Sequence, residues 1–401
     1  MEKQNKPIPI KGISIATAAC GIRYRGRDDL VLMELSEQTT TAACFTRNAL
    51  KGAPVILAEQ HLRTTQPRYL LINAGNANVG LGLAGIADAE ACCVKVADLA
   101  GVDTQQVLPF STGLISERLP LSKMISAIPY LFEDLTSDHW LTAAQAIMTT
   151  DTIAKWFSVK VPLGSEKISI TGIAKGSGMI CPNMATMLAY IATDIKIDQQ
   201  TTQQLLSDAV AISFNCITVD GDTSTNDACV LLASGASEID WDLLSANQRA
   251  TFIEALQTVM QELAKMIIRD AEGAGHFIEI RVEQACSYEE AKQVAYTIAH
   301  SPLVKTAFAA ADPNWGRIIA AIGRSGLEEL DMNKVSCFIG SHRLYHCGAV
   351  DPNYDEEVVK TAMMQTEVGL RVLLGRGTER ACLWTSDLTE DYVRINAGYR
   401  S

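Results

Sequence analysis

The segment from Lys175 to Leu188, KGSGMICPNMATML, combines residue types that could do chemistry. It sets a cation, Lys175, and two loop-forming glycines, Gly176 and Gly178, ahead of a hydroxyl, Thr186, that opens an apolar run. A threonine hydroxyl attacks poorly unless a base lies beside it. One way to supply the base is to make the threonine N-terminal, so that its own α-amine, with a pKa near ~8, takes the proton. That requires breaking the Ala185–Thr186 bond. The hydroxyl attacks the preceding carbonyl, the amide becomes an ester, and water completes the cut. Backbone strain favours the uphill first step, and the small Ala185 leaves room for it. A threonine that merely caps a strand is the commoner use of the residue, and from these residues alone both readings stand.

Further segments extend the pattern. In chain order they are NAGNAN (Asn73–Asn78), STGLISERLP (Ser111–Pro120), MTTDT (Met148–Thr152), the Lys175 segment, VDGDTSTND (Val219–Asp227), DPNWGRI (Asp312–Ile318) and INAGYRS (Ile395–Ser401). Together they resemble the ornithine acetyltransferase family, whose signature K-G-x-G-M-x-x-P-x-M-A-T-M-L is cut between Ala and Thr. The resemblance spans nearly the whole chain. It implies an α/β fold of the self-processing acyltransferase kind, with β-sheets sandwiched between helix layers. It also implies an α chain, residues 1–185, and a β chain, residues 186–401, assembled as a heterotetramer of two of each. The implied activity is acetyl transfer from N-acetylornithine to glutamate through an acetyl-Thr186 intermediate, with no cofactor and with acetyl-CoA open as a second donor.

By the same likeness Thr112 and Gly113 form the oxyanion hole, while Thr149, Lys175, Thr186, Glu272, Asn396 and Ser401 bind substrate. A lysine and a glutamate match the α-carboxylate and side-chain ammonium of N-acetylornithine. The pattern does not choose between Thr149 and its neighbour Thr150. Read without the family, Ser111-Thr112-Gly113 is a plain turn, Glu272 a solvated charge and Asn396 a strand-end residue. The chain departs from the family at Gly275 and His276, where Thr and Lys are usual after E-G-A, at Ser116, where glycine is usual, and at Ile153-Ala154-Lys155. The first departure leaves open a related secondary-metabolism acetyltransferase with another substrate, and the same self-cleaving plan leaves open an amidohydrolase or aminopeptidase with water as acceptor.

Other groupings suggest less. His342, His346 and Cys347 lack the C-x-x-C that would complete a zinc set, and a structural role is expected. Asp220, Asp222 and Asp227 fail the calcium-loop register and are expected to hydrogen-bond a turn. Trp315 beside Arg317 reads as a packing anchor. No metal site is expected.

Short apolar runs alternating with amphipathic stretches must position these residues, the pattern of an α/β chain. Strands are expected at 30–35, 69–73, 168–173, 187–191, 229–232, 277–282, 335–340 and 370–374. Helices are expected at 85–99, 121–131, 139–148, 201–214, 246–268, 288–299 and 356–364. In the longest, Phe252, Leu256, Met260, Leu263 and Ile267 recur on one face. Net charge is -12, which argues against nucleic acid or an anionic membrane as partner. The 11 cysteines follow no regular spacing and suit free thiols in a reducing compartment. No signal peptide is read at the start, and no run approaches the ~18 apolar residues of a membrane span. The cytoplasm is the expected location.

Overall fold

A computed structural model describes residues 5–164, 166–181 and 187–398. The strands follow in chain order as β1 (Ile13–Ala18), β2 (Leu30–Leu35), β3 (Thr40–Phe45), β4 (Tyr69–Asn76), β5 (Val107–Leu114), β6 (Lys155–Leu163), β7 (Glu166–Lys175), β8 (Leu188–Thr193), β9 (Ile217–Thr218) and β10 (Ala228–Ala233). The helices over the same stretch are α1 (Ala53–Thr64), α2 (Leu83–Ala100), α3 (Leu121–Glu133), α4 (Trp140–Ala146), α5 (Gln199–Ala211) and α6 (Ala246–Arg269). The chain forms two compact units, one of residues 1–215, 223–267 and 400–401, the other of 216–222 and 268–399.

In the first unit β1-β2-β4-β5 form one sheet and β3-β10-β8-β7-β6 a second. Alternating residues of the first sheet split between two cores, as the period of two requires. Val31, Met33, Leu70, Ile72, Leu108 and Phe110 face the inner core with Leu188, Tyr190, Val230 and Leu232 of the other sheet. Phe110 meets Tyr190 edge-on, ring centres 5.4 Å apart. Leu30, Leu32, Tyr69 and Leu71 point the other way, onto α2 and α3. On the far side of the second sheet Leu263 and Val259 of α6 press so closely on Gly172 that an added Cβ would lie 2.7 Å from Leu263. Two sheets therefore lie between helices, the sandwich expected.

In the second unit β9 joins β11 (Phe277–Ala285), β12 (Ser336–Ile339), β13 (His342–His346), β14 (Ala349–Val350), β15 (Glu367–Leu373) and β16 (Glu379–Ser386) in the order β14-β13-β12-β15-β11-β16-β9. The sheet packs on α7 (Tyr288–Ala299), α8 (Pro302–Ala309), α9 (Trp315–Gly323) and α10 (Glu356–Met363). Ser287 caps α7, accepting from the Glu290 amide, which satisfies one of the donors a helix start leaves over. Helix α11 (Glu390–Gly398) ends the described chain.

The expected strands and helices all occur, with ends moved by up to a few residues. Two local readings change. Ser111-Thr112-Gly113 is not a turn but the end of β5, and Asn396 lies within α11, not at a strand end. The strands β1, β3, β5, β6, β9, β13, β14 and β16 and the helices α1, α8, α9 and α11 lie outside the sequence expectations.

Candidate active site

Two glycines shape the end of β5. Gly75 of β4 (φ 123°) and Gly113 of β5 (φ 129°) face each other across a parallel pair whose register shifts at Gly75. An added Cβ on Gly113 would sit 2.3 Å from the carbonyl carbon of Gly75, so only glycine fits both the space and the left-handed φ. Asparagines tie the neighbouring loop down. Asn73 donates to the carbonyl of Asn76 (2.8 Å), Asn78 donates to that of Gly85 (2.8 Å), and Asn226 donates to Ala77 (2.6 Å) and Ser111 (2.9 Å). The NAGNAN and STND segments thus frame the end of β5.

Lys175, at the end of β7, donates to the Thr149 hydroxyl at 2.8 Å and the Thr112 hydroxyl at 3.2 Å. Thr149 is therefore the member of the Thr149–Thr150 pair that joins this group. Asp151 organises it from below: one carboxylate oxygen accepts from the Gly176 amide (2.7 Å) and Lys155 (2.6 Å), the other from the Thr149 amide (3.0 Å). Both Lys155 and Asp151 side chains are 0% exposed. Burial by itself pushes the Asp151 carboxyl up, but Lys155, Lys175 and the Gly176 amide outweigh it and hold it at about 2. Lys155, a family departure, is thus the cation that balances this buried carboxylate.

Asp227, just before β10, is a second buried carboxyl, 4% exposed. Burial pushes it well above the carboxylate range, against the opposing pull of the Ser224 hydroxyl, Lys175 and the Met187 amide. The sequence reading gave it to a turn with Asp220 and Asp222. The turn bond belongs to Asp220, which accepts from the Asp222 amide at 3.2 Å.

In the second unit Asn396 of α11 donates to Glu272 at 2.8 Å, so those two expected substrate residues are directly paired. The departures beside them share one anchor. Asp387, after β16, accepts from the Gly275 amide (2.9 Å) and pairs with His276 Nδ1 (2.8 Å). An added Cβ on Gly275 would lie 3.1 Å from the Asp387 carboxylate. His346 pairs with Ser336 at 2.7 Å, and Trp315 stacks on Tyr345. Among the described residues no three His, Cys, Asp or Glu side chains group as a metal site, and no helix is long and apolar enough to cross a membrane. The 11 cysteines carry no disulfide. Ala185, Thr186 and Ser401 lie outside the described residues.

This arrangement brings the Thr112 hydroxyl, beside Gly113, together with the Lys175 cation. Over residues 14–401 the chain matches the ArgJ family. It is 52% identical over 393 residues to the arginine biosynthesis bifunctional protein ArgJ of Methylococcus capsulatus, covering 98% of this chain and 96% of that one. Against the protein of the same name in Pseudomonas fluorescens it is 45% identical over 394 residues, 98% and 97% of the two chains. The crystal structure of arginine biosynthesis bifunctional protein argJ from Bacillus halodurans aligns with a TM-score of 0.50 and 43% identity, over 53% of this chain and 100% of its own.

Proposed function

This chain belongs to the ArgJ family, and we propose that it is the arginine-biosynthesis acetyltransferase that moves acetyl from N2-acetyl-L-ornithine to L-glutamate, with Thr186 as nucleophile. The observation that carries the reading is the Lys175–Thr112–Thr149 group at the end of β5, an oxyanion donor and a cation held together by a buried carboxylate. Self-cleavage at Ala185–Thr186 divides the chain into residues 1–185 and 186–401. The Bacillus halodurans chain supports this, since it aligns over its whole length yet spans 53% of this one, as one fragment of a divided chain would.

In the forward half-reaction the α-amine of Thr186 takes the proton of its own hydroxyl, and the oxygen attacks the acetyl carbonyl. Thr112 and the Gly113 amide bind the developing oxyanion, each donor worth about 3 kcal/mol. The amine returns the proton to ornithine as it leaves. Glutamate then attacks acetyl-Thr186 by the reverse sequence. Thr149, Lys175, Glu272, Asn396 and Ser401 bind substrate, Lys175 taking the carboxylate and Glu272 the ammonium. The enzyme works in the cytoplasm as two α and two β chains and needs no cofactor. Acetyl-CoA serves as a second, slower donor.

Mass spectrometry tests this directly. Active protein should show two fragments under denaturing conditions. With N-acetylornithine and no acceptor, the 186–401 fragment should gain one acetyl group on Thr186. An uncut active chain, or cut enzyme with no acetylated peptide on rapid quench, rejects the reading. Glutamate acetylation should be faster with N-acetylornithine than with acetyl-CoA, each at saturation; acetate release without acetylglutamate would instead mark a hydrolase.

A further inference from the structure

Residues 270–276, ahead of β11, form no helix or strand, so the bonds made to them set where the Glu272 side chain stands. Besides one turn bond of their own, from the Ala274 amide to the Ala271 carbonyl (3.0 Å), they are held by the segment from Asp387 to Asn396. The Thr389 hydroxyl donates to the Gly273 carbonyl at 2.6 Å, and Asn396 donates to Glu272 at 2.8 Å. Asp387 grips the other end. One of its oxygens accepts from the Gly275 amide (2.9 Å) and the other from His276 Nδ1 (2.8 Å), while its own amide donates to the His276 carbonyl at 3.3 Å. A carboxylate only accepts, so Nδ1 is the donor, and bonds to an ionised acceptor are the stronger kind. The Asp387 side chain is 1% exposed. Its base is firm: the buried Lys305 donates to the Thr385 hydroxyl at 3.0 Å and to the Ser386 carbonyl, and the Leu388 amide donates to the Lys305 carbonyl at 3.4 Å. Gly275 belongs to the same arrangement. An added Cβ there would lie 3.1 Å from Oδ2, the oxygen that His276 binds, so a residue without a side chain leaves that bond its room.

We propose that His276, through Asp387, is a positioning residue for Glu272 and so helps determine which acetyl donor is accepted. The proposal rests on the reading of Glu272 as the group that takes the side-chain ammonium of N-acetylornithine. A carboxylate selects an ammonium only where it stands within reach, and an error of about 1 Å in such a group costs about a hundredfold. Glutamate carries no side-chain ammonium, so its half-reaction makes no use of the Glu272 charge. Loosening residues 272–276 therefore penalises the donor and spares the acceptor, which a general loss of structure does not do.

The test compares His276→Leu, which keeps the bulk and drops the donor, with His276→Asn, whose amide nitrogen stands as many bonds from the backbone as Nδ1. In a ping-pong reaction kcat/KM for each substrate reports its own half-reaction. His276→Leu should lower kcat/KM for N-acetylornithine about tenfold or more and leave that for glutamate within about twofold. His276→Asn should return the donor value to within about threefold of wild type. In a Glu272→Ala background His276→Leu should cost nothing further, because the group it acts through is gone. Wild-type donor kinetics in His276→Leu, equal losses on both substrates, no recovery in His276→Asn, or an undiminished further loss in the Glu272→Ala background overturns the proposal. Glu272→Ala with wild-type donor kinetics overturns instead the reading of Glu272 on which it rests. If His276→Leu does not fold, Asp387→Asn is judged by the same split between donor and acceptor, since one of its two accepting oxygens becomes a donor that faces a donor.

Discussion

Lys155 and Asp151 show how one buried charge organises several site residues. Asp151 touches the Thr149 amide, the Gly176 amide and Lys155 at once, so its charge fixes the backbone on both sides of Lys175. Removing it strands a fully buried ammonium. Asp151→Ala should cost about 3–5 kcal/mol in urea unfolding, the range for breaking a buried pair. Replacing the two together, Asp151→Leu with Lys155→Met, should recover part of that loss, because the fully buried Lys155 ammonium goes with its carboxylate. Held at about 2 against an unfolded value of 3.8, the carboxyl contributes stability above the unfolded value and loses it as pH falls through the folded one. The gap between wild type and Asp151→Ala should therefore stay level near neutral pH and narrow below about pH 4. A gap that is absent, or that widens in acid, contradicts this account.

Among the elements, the β4–β5 pair sets the backbone at the end of β5, where the oxyanion hole is proposed. Parallel strands closing on two facing glycines let the backbone bend so that a Thr hydroxyl and a Gly amide end the strand together. Gly113→Ala places a methyl 2.6 Å from the Asn76 nitrogen as well as against Gly75, and neither contact is the end of a flexible side chain. Activity should be lost with a clear fall in unfolding midpoint, whereas Gly101→Ala, with no atom within 4 Å of the new methyl, should lose far less stability and keep activity. Equal losses at both positions would mean that backbone strain alone, and not the approach of β4, demands Gly113.

For the whole molecule, the division proposed at Thr186 does not follow the folded units. The 1–185 and 186–401 portions interleave in one sheet, since β10 pairs with β3 and β8 pairs with β7. These two seams hold both portions over full strand lengths, with Val230, Leu232 and Tyr190 buried in the inner core. Cut enzyme should therefore elute as one species at native pH and give two bands only under denaturing conditions. Two separate species in native buffer would show that the seams do not hold.

Much of this was legible in the sequence because it is local. Alternating apolar runs set most strands and helices, and seven ordered segments specified the family with its glycines, threonines and lysine. Glycine at 113 was visible as a residue type, but β5 around it was hidden, since the Ser111-Thr112-Gly113 run looks like a turn until β4 supplies the partner. Asn396 was placed on a strand end and lies on a helix, where it meets Glu272 across 124 residues of chain. Tertiary structure alone decided which charges are buried. Lys155 and Asp227 are ordinary polar letters in the sequence, and burial depends on residues distant in the chain. Desolvation makes one an obligate partner of Asp151 and pushes the other toward its neutral acid.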